Sequence, residues 1–155
     1  MVSEVADRSF ARPWLALTGA LAVHVTDEAL TGFLELWNPM VLRLRESIPW
    51  SPFPTFSFSI WLGGLTVLVL ALFLLLPFAA AGAAWLRPSA YLYGAIMLLN
   101  GFGHLAASVV LGRRAPGVSS APLLIAASVW LLRRLMRSRA AGLGSPTVRE
   151  RPEAL

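Results

Sequence analysis

The stretch SIWLGGLTVLVLALFLLLPFAAAGAAWL, Ser59 to Leu86, is rich in leucine and contains no charged residue. A helix needs about 20 predominantly apolar residues to cross the hydrocarbon core of a membrane, so this stretch is long enough to span one. Pro77 interrupts it, and neighbouring helices in a bundle can accommodate the kink that a proline introduces. The stretch therefore predicts a transmembrane helix.

The composition of the whole chain points the same way. Of its 155 residues, 57% are hydrophobic and only 14% are charged, whereas a soluble domain carries about 25% charged residues. All 13 basic residues are arginines that lie between and after the apolar runs, where anionic lipid headgroups can bind them. No nucleic-acid-binding motif accompanies them, so a nucleic-acid partner is not expected. The chain lacks cysteine, which excludes disulfides and thiolate metal ligands.

Three further apolar segments are candidates for spanning helices. They are Pro13–Trp37, with Asn38-Pro39 as its predicted end, Tyr91–Leu111 and Ala121–Arg137. The sequence thus predicts an all-α membrane protein, a four-transmembrane-helix bundle over residues 13–137, with an interfacial loop between helices 1 and 2. Residues 1–12 are predicted to form a cytoplasmic N-terminal segment, and residues 138–155 a disordered cytoplasmic tail. The distribution of arginines places both termini in the cytoplasm by the positive-inside rule.

The first apolar segment is unusual because titratable residues lie in its middle. VHVTDEAL, Val23 to Leu30, contains His24, Asp27 and Glu28. An acid at the centre of a spanning helix costs about 2.5 to 3.5 kcal/mol, so such residues are usually functional. Their spacings of three and four residues place these side chains on one face of a helix, and Glu35 falls on the same face.

The third apolar segment carries a matching polar face. Tyr93, Asn100 and His104 lie on one side of it by the same helical arithmetic. At a rise of about 1.5 Å per residue, the polar groups of the first and third segments lie at similar depths, and in a four-span protein these two helices run parallel. The sequence therefore predicts one shared site, and its candidate residues are His24, Asp27, Glu28, Asn100 and His104.

The motifs HVTDE and NGFGH, followed by Pro116-Gly117, resemble those of the HXXEE family of small bacterial integral membrane proteins. That family pairs an H-x-x-E-E motif with a downstream N-x-x-x-H and a Pro-Gly turn. The resemblance covers roughly residues 13–135 and implies an enzyme of unspecified substrate in a bacterial inner (plasma) membrane. Its motif positions fall on His24, Glu28, Asn100 and His104. The chain departs from the motif at Asp27, where the family has glutamate.

The predicted site has two enzymatic interpretations. In one, His24, Glu28 and His104 hold a divalent metal, Zn²⁺ or Fe²⁺, because two imidazoles and a carboxylate suit these ions. In the other, a carboxylic acid kept neutral by burial exchanges a proton with an imidazole and acts on an isoprenoid or sterol-like lipid without metal. Asn100 would orient the reacting group or donate a hydrogen bond to an oxyanion. Both interpretations imply a lipophilic small-molecule substrate that enters from the bilayer.

Three other interpretations remain open. A hydrolase could use Ser108, His104 and Asp27, although no nucleophile elbow surrounds the serine. Proton or cation transport also uses carboxylate and histidine chains, but four short spans without inverted repeats would require a homo-oligomer. Finally, Glu28 and His104 could form a purely structural hydrogen bond between two helices.

Overall fold

The structure, a computed structural model, describes residues 9–143 of the chain and the side chains of residues 9–138. Six helices occur in this range and no strand, which confirms the predicted all-α class. They are α1 (Ala11–Thr31), α2 (Phe33–Ser47), α3 (Phe58–Leu74), α4 (Leu76–Ala80), α5 (Leu86–Leu111) and α6 (Ala121–Leu143). Of the predicted terminal segments, residues 1–8 and 144–155 lie outside the described residues. α6 continues six residues beyond Arg137, its predicted end, into the segment predicted to be disordered.

The break between α1 and α2 falls at a glycine and not at the predicted proline. Gly32 adopts a φ of 78°, and its amide donates a hydrogen bond to the carbonyl of Glu28. Glycine adopts this left-handed conformation at little cost and commonly ends helices. The helix that follows continues past Pro39. The prediction of one helix through Trp37, ended by Asn38-Pro39, is therefore wrong, because the glycine turns the chain first.

The uncharged stretch from Ser59 to Leu86 forms two helices before α5 begins. α3 ends at Leu74, and Pro77 lies in the first turn of the short helix α4. Proline has no amide hydrogen to continue the helical ladder, so a helix restarts more easily at this position than it passes through it. The carbonyl of Ala79 accepts a hydrogen bond from the amide of Phe10, 3.1 Å away. The turn after α3 is thereby fixed to the start of α1.

Close packing between α5 and α6 depends on small residues. α6 makes its most extensive contacts with α5 and α1, and α1 also packs against α3 and α4. A Cβ added to Gly101 would lie 2.6 Å from Cγ1 of Ile125 and 3.2 Å from the carbonyl oxygen of Ala121. The absence of a side chain at this position lets the two helices approach, and this contact brings the loop before α6 against α1.

The apolar core fills the half of the bundle away from the candidate site. It contains Phe10, which directly precedes α1, and Trp14, Leu17 and Leu21 of α1, together with Leu124, Leu131 and Leu135 of α6. The indole nitrogen of Trp14 donates to the carbonyl of Leu72 at 2.8 Å, which satisfies its buried polar group. Towards the other end of α1, the buried side chains include the titratable residues His24 and Glu28.

Among the described helices, α5 is the one that is both long and apolar enough to cross a membrane. α3 is also apolar but has 17 residues, fewer than a typical span.

Candidate functional site

The side chains of His24, Glu28 and His104 meet in the interior between α1 and α5. His24 and Glu28 lie one turn apart on α1 and are 1% and 5% exposed, and His104 on α5 is 8% exposed. Nε2 of His104 lies 3.1 Å from Oε1 of Glu28, and Nε2 of His24 lies 3.7 Å from the same oxygen. The two imidazole rings are 4.6 Å apart between centroids. The predicted approach of the first and third polar faces is therefore present.

A backbone carbonyl defines which nitrogen of His104 carries a proton. Nδ1 of His104 lies 2.6 Å from the carbonyl oxygen of Pro116. A carbonyl only accepts, so Nδ1 must be the donor. In the neutral ring, Nε2 then has a free lone pair directed at Glu28. The loop after α5 thus prepares His104 as a ligand or as a proton acceptor.

A serine and an aspartate define the tautomer of His24 in the same way. The hydroxyl of Ser120 donates to Oδ2 of Asp27 at 2.7 Å, and the same oxygen accepts the backbone amide of Ser120 at 3.0 Å. Since the single hydroxyl proton of Ser120 is directed to a carboxylate, its oxygen accepts from Nδ1 of His24 at 2.8 Å. Nε2 of His24 therefore carries the lone pair, and Asp27 stabilises the arrangement through Ser120.

The loop between α5 and α6 closes over these side chains at a glycine. Gly117 has a φ of 77°, and its amide donates to the hydroxyl of Thr31 at 3.2 Å. A Cβ at this position would lie 2.9 Å from Cγ of Glu28 and 2.9 Å from Cε1 and Nδ1 of His104. Only a residue without a side chain can come this close to the carboxylate and the imidazole.

The three side chains have the separations of a metal site. Ligand atoms of His24, Glu28 and His104 all lie within 4.8 Å of one another. In a tetrahedral zinc site with bonds of about 2.0 to 2.1 Å, neighbouring ligand atoms lie about 3.3 to 3.4 Å apart. The distances from the glutamate oxygen to the two imidazoles, 3.1 and 3.7 Å, bracket this value. Nε2 of His24 is buried and has no hydrogen-bond partner among the described residues, as expected of a ligand atom.

Asn100 lies beside the imidazole of His24, one turn before His104 on α5. Its Oδ1 atom is buried and lacks a hydrogen-bond partner in the described part of the chain. A buried acceptor without a partner is costly unless a ligand or water satisfies it. Asn100 therefore places a buried amide oxygen beside the imidazole of His24, at the edge of the site.

Other residues noted in the sequence have structural contacts. The hydroxyl of Ser108 donates to the carbonyl of His104 at 3.0 Å and accepts the amide of Ala115 at 3.0 Å. It contacts the backbone of His104 and not its imidazole, so the geometry does not favour a serine nucleophile. Tyr93 lies near Trp14, with ring centroids 5.3 Å apart, two turns away from Asn100.

Two pockets adjoin the site, and Phe33 lines both of them. The first, here called the acidic pocket, has a volume of about 430 Å³, and its lining includes Glu28, Gly32, Phe33, Glu35, Phe56 and Trp61. The second, the apolar pocket, has a volume of about 290 Å³, and its lining includes Phe33, Leu36, Trp37, Met40, Asn100 and His104. Both are near the size of small-molecule sites. The α2 residues of these linings belong mostly to the predicted first span, Pro13–Trp37, and only Asn38 and Met40 belong to the predicted interfacial loop.

Sequence reasoning did not identify Ser120 or Phe33 as residues of the site. Ser120 directly precedes α6, three residues after the Pro-Gly turn, and nothing in its local pattern distinguishes it from an ordinary helix-start serine. Phe33 follows the glycine that ends α1 and is one of many aromatics in this region. Pro116-Gly117 was visible as a turn, but its contact with the histidine depends on the tertiary structure.

Comparison with known proteins matches residues 14–131 to the family described as "Protein of unknown function with HXXEE motif". No curated protein and no solved structure matches the chain.

Proposed function

The chain belongs to the HXXEE family, whose function is unknown, and from this premise we propose that it is an integral membrane enzyme with a metal centre at His24, Glu28 and His104. The substrate is a lipophilic small molecule that reaches the centre from the bilayer. The protein lies in a bacterial inner membrane as a four-span bundle with both termini in the cytoplasm.

Exposure of apolar side chains supports the membrane location. Leu74 of α3 is 76% exposed, and Leu99 and Val110 of α5 are 71% and 84% exposed. Only 17% of the most apolar window of α5 is buried, unlike the core helix of a soluble protein. Exposed apolar surface of this kind is rare on soluble monomers and is what lipid contacts require.

One observation carries the metal assignment. Two buried imidazoles, each hydrogen-bonded through Nδ1, direct their Nε2 atoms towards the carboxylate of Glu28. Histidine ligands of metals characteristically donate their second nitrogen to a carboxylate, carbonyl or water. Here the partners are the carbonyl of Pro116 and the hydroxyl of Ser120, which is bonded in turn to Asp27. A structural hydrogen bond between helices would not need both arrangements.

A divalent metal at this position would acidify a bound water or polarise a substrate oxygen in a water-poor site. The protein's own residues have separable roles in that chemistry. Glu28 and the two histidines hold the ion, and Asp27 and Ser120 orient His24. Asn100, beside His24, offers its amide oxygen to a hydrogen-bond donor of the substrate.

The metal assignment is tested by metal analysis of the purified protein. Wild type is expected to retain stoichiometric Zn²⁺ or Fe²⁺, and Glu28→Gln and His104→Ala are expected to lose it. Ser120→Ala, which leaves Nδ1 of His24 without its acceptor, is expected to weaken metal binding about 10- to 100-fold. Glu46→Gln is the matched control, since Glu46 is exposed on α2 and should leave metal content unchanged. A wild-type protein that stays metal-free after incubation with both ions would contradict the assignment.

The 3.1 Å contact between His104 and Glu28 favours one second candidate, acid and base catalysis without metal. This distance suits a single proton shared between the two groups. Under that alternative the same lipophilic substrate is protonated and deprotonated by Glu28 and His104. Activity that survives complete metal removal but not Glu28→Gln would select this candidate.

A further inference from the structure

We infer that the substrate of the proposed enzyme is a lipophilic amine, whose hydrocarbon chain occupies the apolar pocket and whose ammonium group occupies the acidic pocket. Phe33 is the specificity-determining residue that separates the two. The inference rests on the proposed function, because it takes the centre between the pockets as the reacting site.

The charges that line the acidic pocket have one sign. In the described residues, its charged lining side chains are Glu28 and Glu35. The amide of Asn38 also lines it, but that group is bonded to the backbone of Phe56, donating to the carbonyl at 2.9 Å and accepting the amide at 3.1 Å. The free polar groups of this pocket are therefore carboxylates, which select a cation over an anion.

The negative charge persists when the proposed metal is bound. A divalent ion is balanced by the carboxylates of Glu28 and Asp27, and the imidazoles are neutral ligands. Glu35 then leaves a net charge of about −1 beside the centre. Its carboxylate is held over the start of α2, since a Cβ on Gly32 would lie 3.1 Å from Oε2 of Glu35.

The walls of the acidic pocket are aromatic, which suits an organic cation better than a bare metal ion. Phe33 is stacked on Trp61 with centroids 5.6 Å apart, and Phe58 lies 6.0 Å from the same indole. All three rings line the pocket. Aromatic faces attract ammonium groups and remain compatible with their alkyl substituents. A carboxylate inside an aromatic enclosure is a recognition site for amines.

The apolar pocket supplies the complementary half. Leu36, Trp37 and Met40 of α2 face Ala107 of α5 across it, with no charged residue in its lining within the described part of the chain. Its polar end is formed by Asn100 and His104 beside the centre. A hydrocarbon chain with a donor-bearing polar end fits this arrangement.

The inference is tested with three probes of equal chain length: octylamine, octanol and octanoate. Each is dialysed to equilibrium against the full-length protein in a non-ionic detergent, with protein-free micelles as the baseline. Octylamine is expected to bind saturably and about tenfold more tightly than the other two, as a charge-assisted contact with aromatic support predicts. Glu35→Gln should abolish this preference, and Glu46→Gln, the same substitution elsewhere on α2, should keep it.

Glutamine at position 35 can still serve the helix start, since both residues are accepted in the third position of a helix. If Glu35→Gln loses the preference for octylamine while its metal content and helical circular dichroism are unchanged, the loss therefore reports contact between Glu35 and the ligand. Equal binding of the three probes to a metal-loaded wild type would overturn this inference alone. A wild type that stays metal-free after incubation with both ions, and that still prefers octylamine, would overturn the metal centre while supporting the amine site.

Discussion

At the scale of single residues, the compactness of the site depends on Gly117. Its position allows the loop after α5 to touch Glu28 and His104 at once, and its φ of 77° lies in the left-handed region. The same loop supplies the carbonyl of Pro116 and the hydroxyl of Ser120 that fix the two histidine tautomers. Three nearby loop residues thus hold two side chains of separate helices in position.

Gly117→Ala is expected to lose metal and to destabilise the protein. The left-handed backbone alone costs about 1 to 2 kcal/mol with a side chain present, and the new methyl group would displace Glu28 or His104. The matched control is Gly112→Ala, which has a φ of 61° but open space around its Cβ. The temperature of thermal unfolding should fall in both variants, whereas the metal content should fall only in Gly117→Ala. Unchanged metal content in Gly117→Ala would show that the loop does not hold the centre together.

At the scale of helices, the contact of α5 with α6 sets the position of the site loop. The glycines of the NGFGH motif divide between two roles, because Gly101 faces α6 and Gly103 has open space around it. Gly103 also lines the apolar pocket. The motif therefore combines a packing position, a pocket position and a ligand within one turn and a half of helix.

Gly101→Ala is expected to lower the free energy of unfolding by about 1 to 3 kcal/mol, because its Cβ would overlap Ile125. Gly103→Ala is the control on the same helix, and it should be neutral or stabilising, since alanine favours helix by up to about 1 kcal/mol over glycine. Denaturant titration in mixed micelles measures the free energy of unfolding of both variants. Equal destabilisation would contradict the assignment of Gly101 to the helix contact.

The helices and the polar face of α1 could be predicted because their causes are local. Apolar length and the spacing of His24 and Glu28 are properties of the sequence itself. The break at Gly32 could not be separated from the stronger local signal of Pro39, since both residues end helices and packing chooses between them. Ser120 could not be predicted at all, because its contact with His24 joins residues 96 apart in the chain.

At the scale of the whole molecule, the arrangement of the helices predicts the sides of the membrane on which the loops lie. The chain has no cysteine, so single cysteines can be introduced without background. Arg113→Cys, in the exposed loop after α5, is expected to react with a membrane-impermeant maleimide in intact cells. Arg137→Cys, exposed near the end of α6, should react only after permeabilisation, because the positive-inside rule places it in the cytoplasm.

The cysteine-free parent protein serves as the control for labelling. Reaction of both positions from the same side would mean that α6 does not cross the bilayer. That outcome would contradict four spans, and it would leave the contacts among His24, Glu28 and His104 unaffected.

The loop that orients both histidines also determines when the centre can assemble during synthesis. Glu28 is made early, whereas His104 and Ser120 follow about 75 and 90 residues later by their numbers in the chain, at a translation rate of about 5 to 20 residues per second. The first helix is therefore complete before the histidine of α5 that contacts its carboxylate has been made. The cluster of His24, Glu28 and His104 can therefore form only late in synthesis, after both α5 and the loop that follows it have been made.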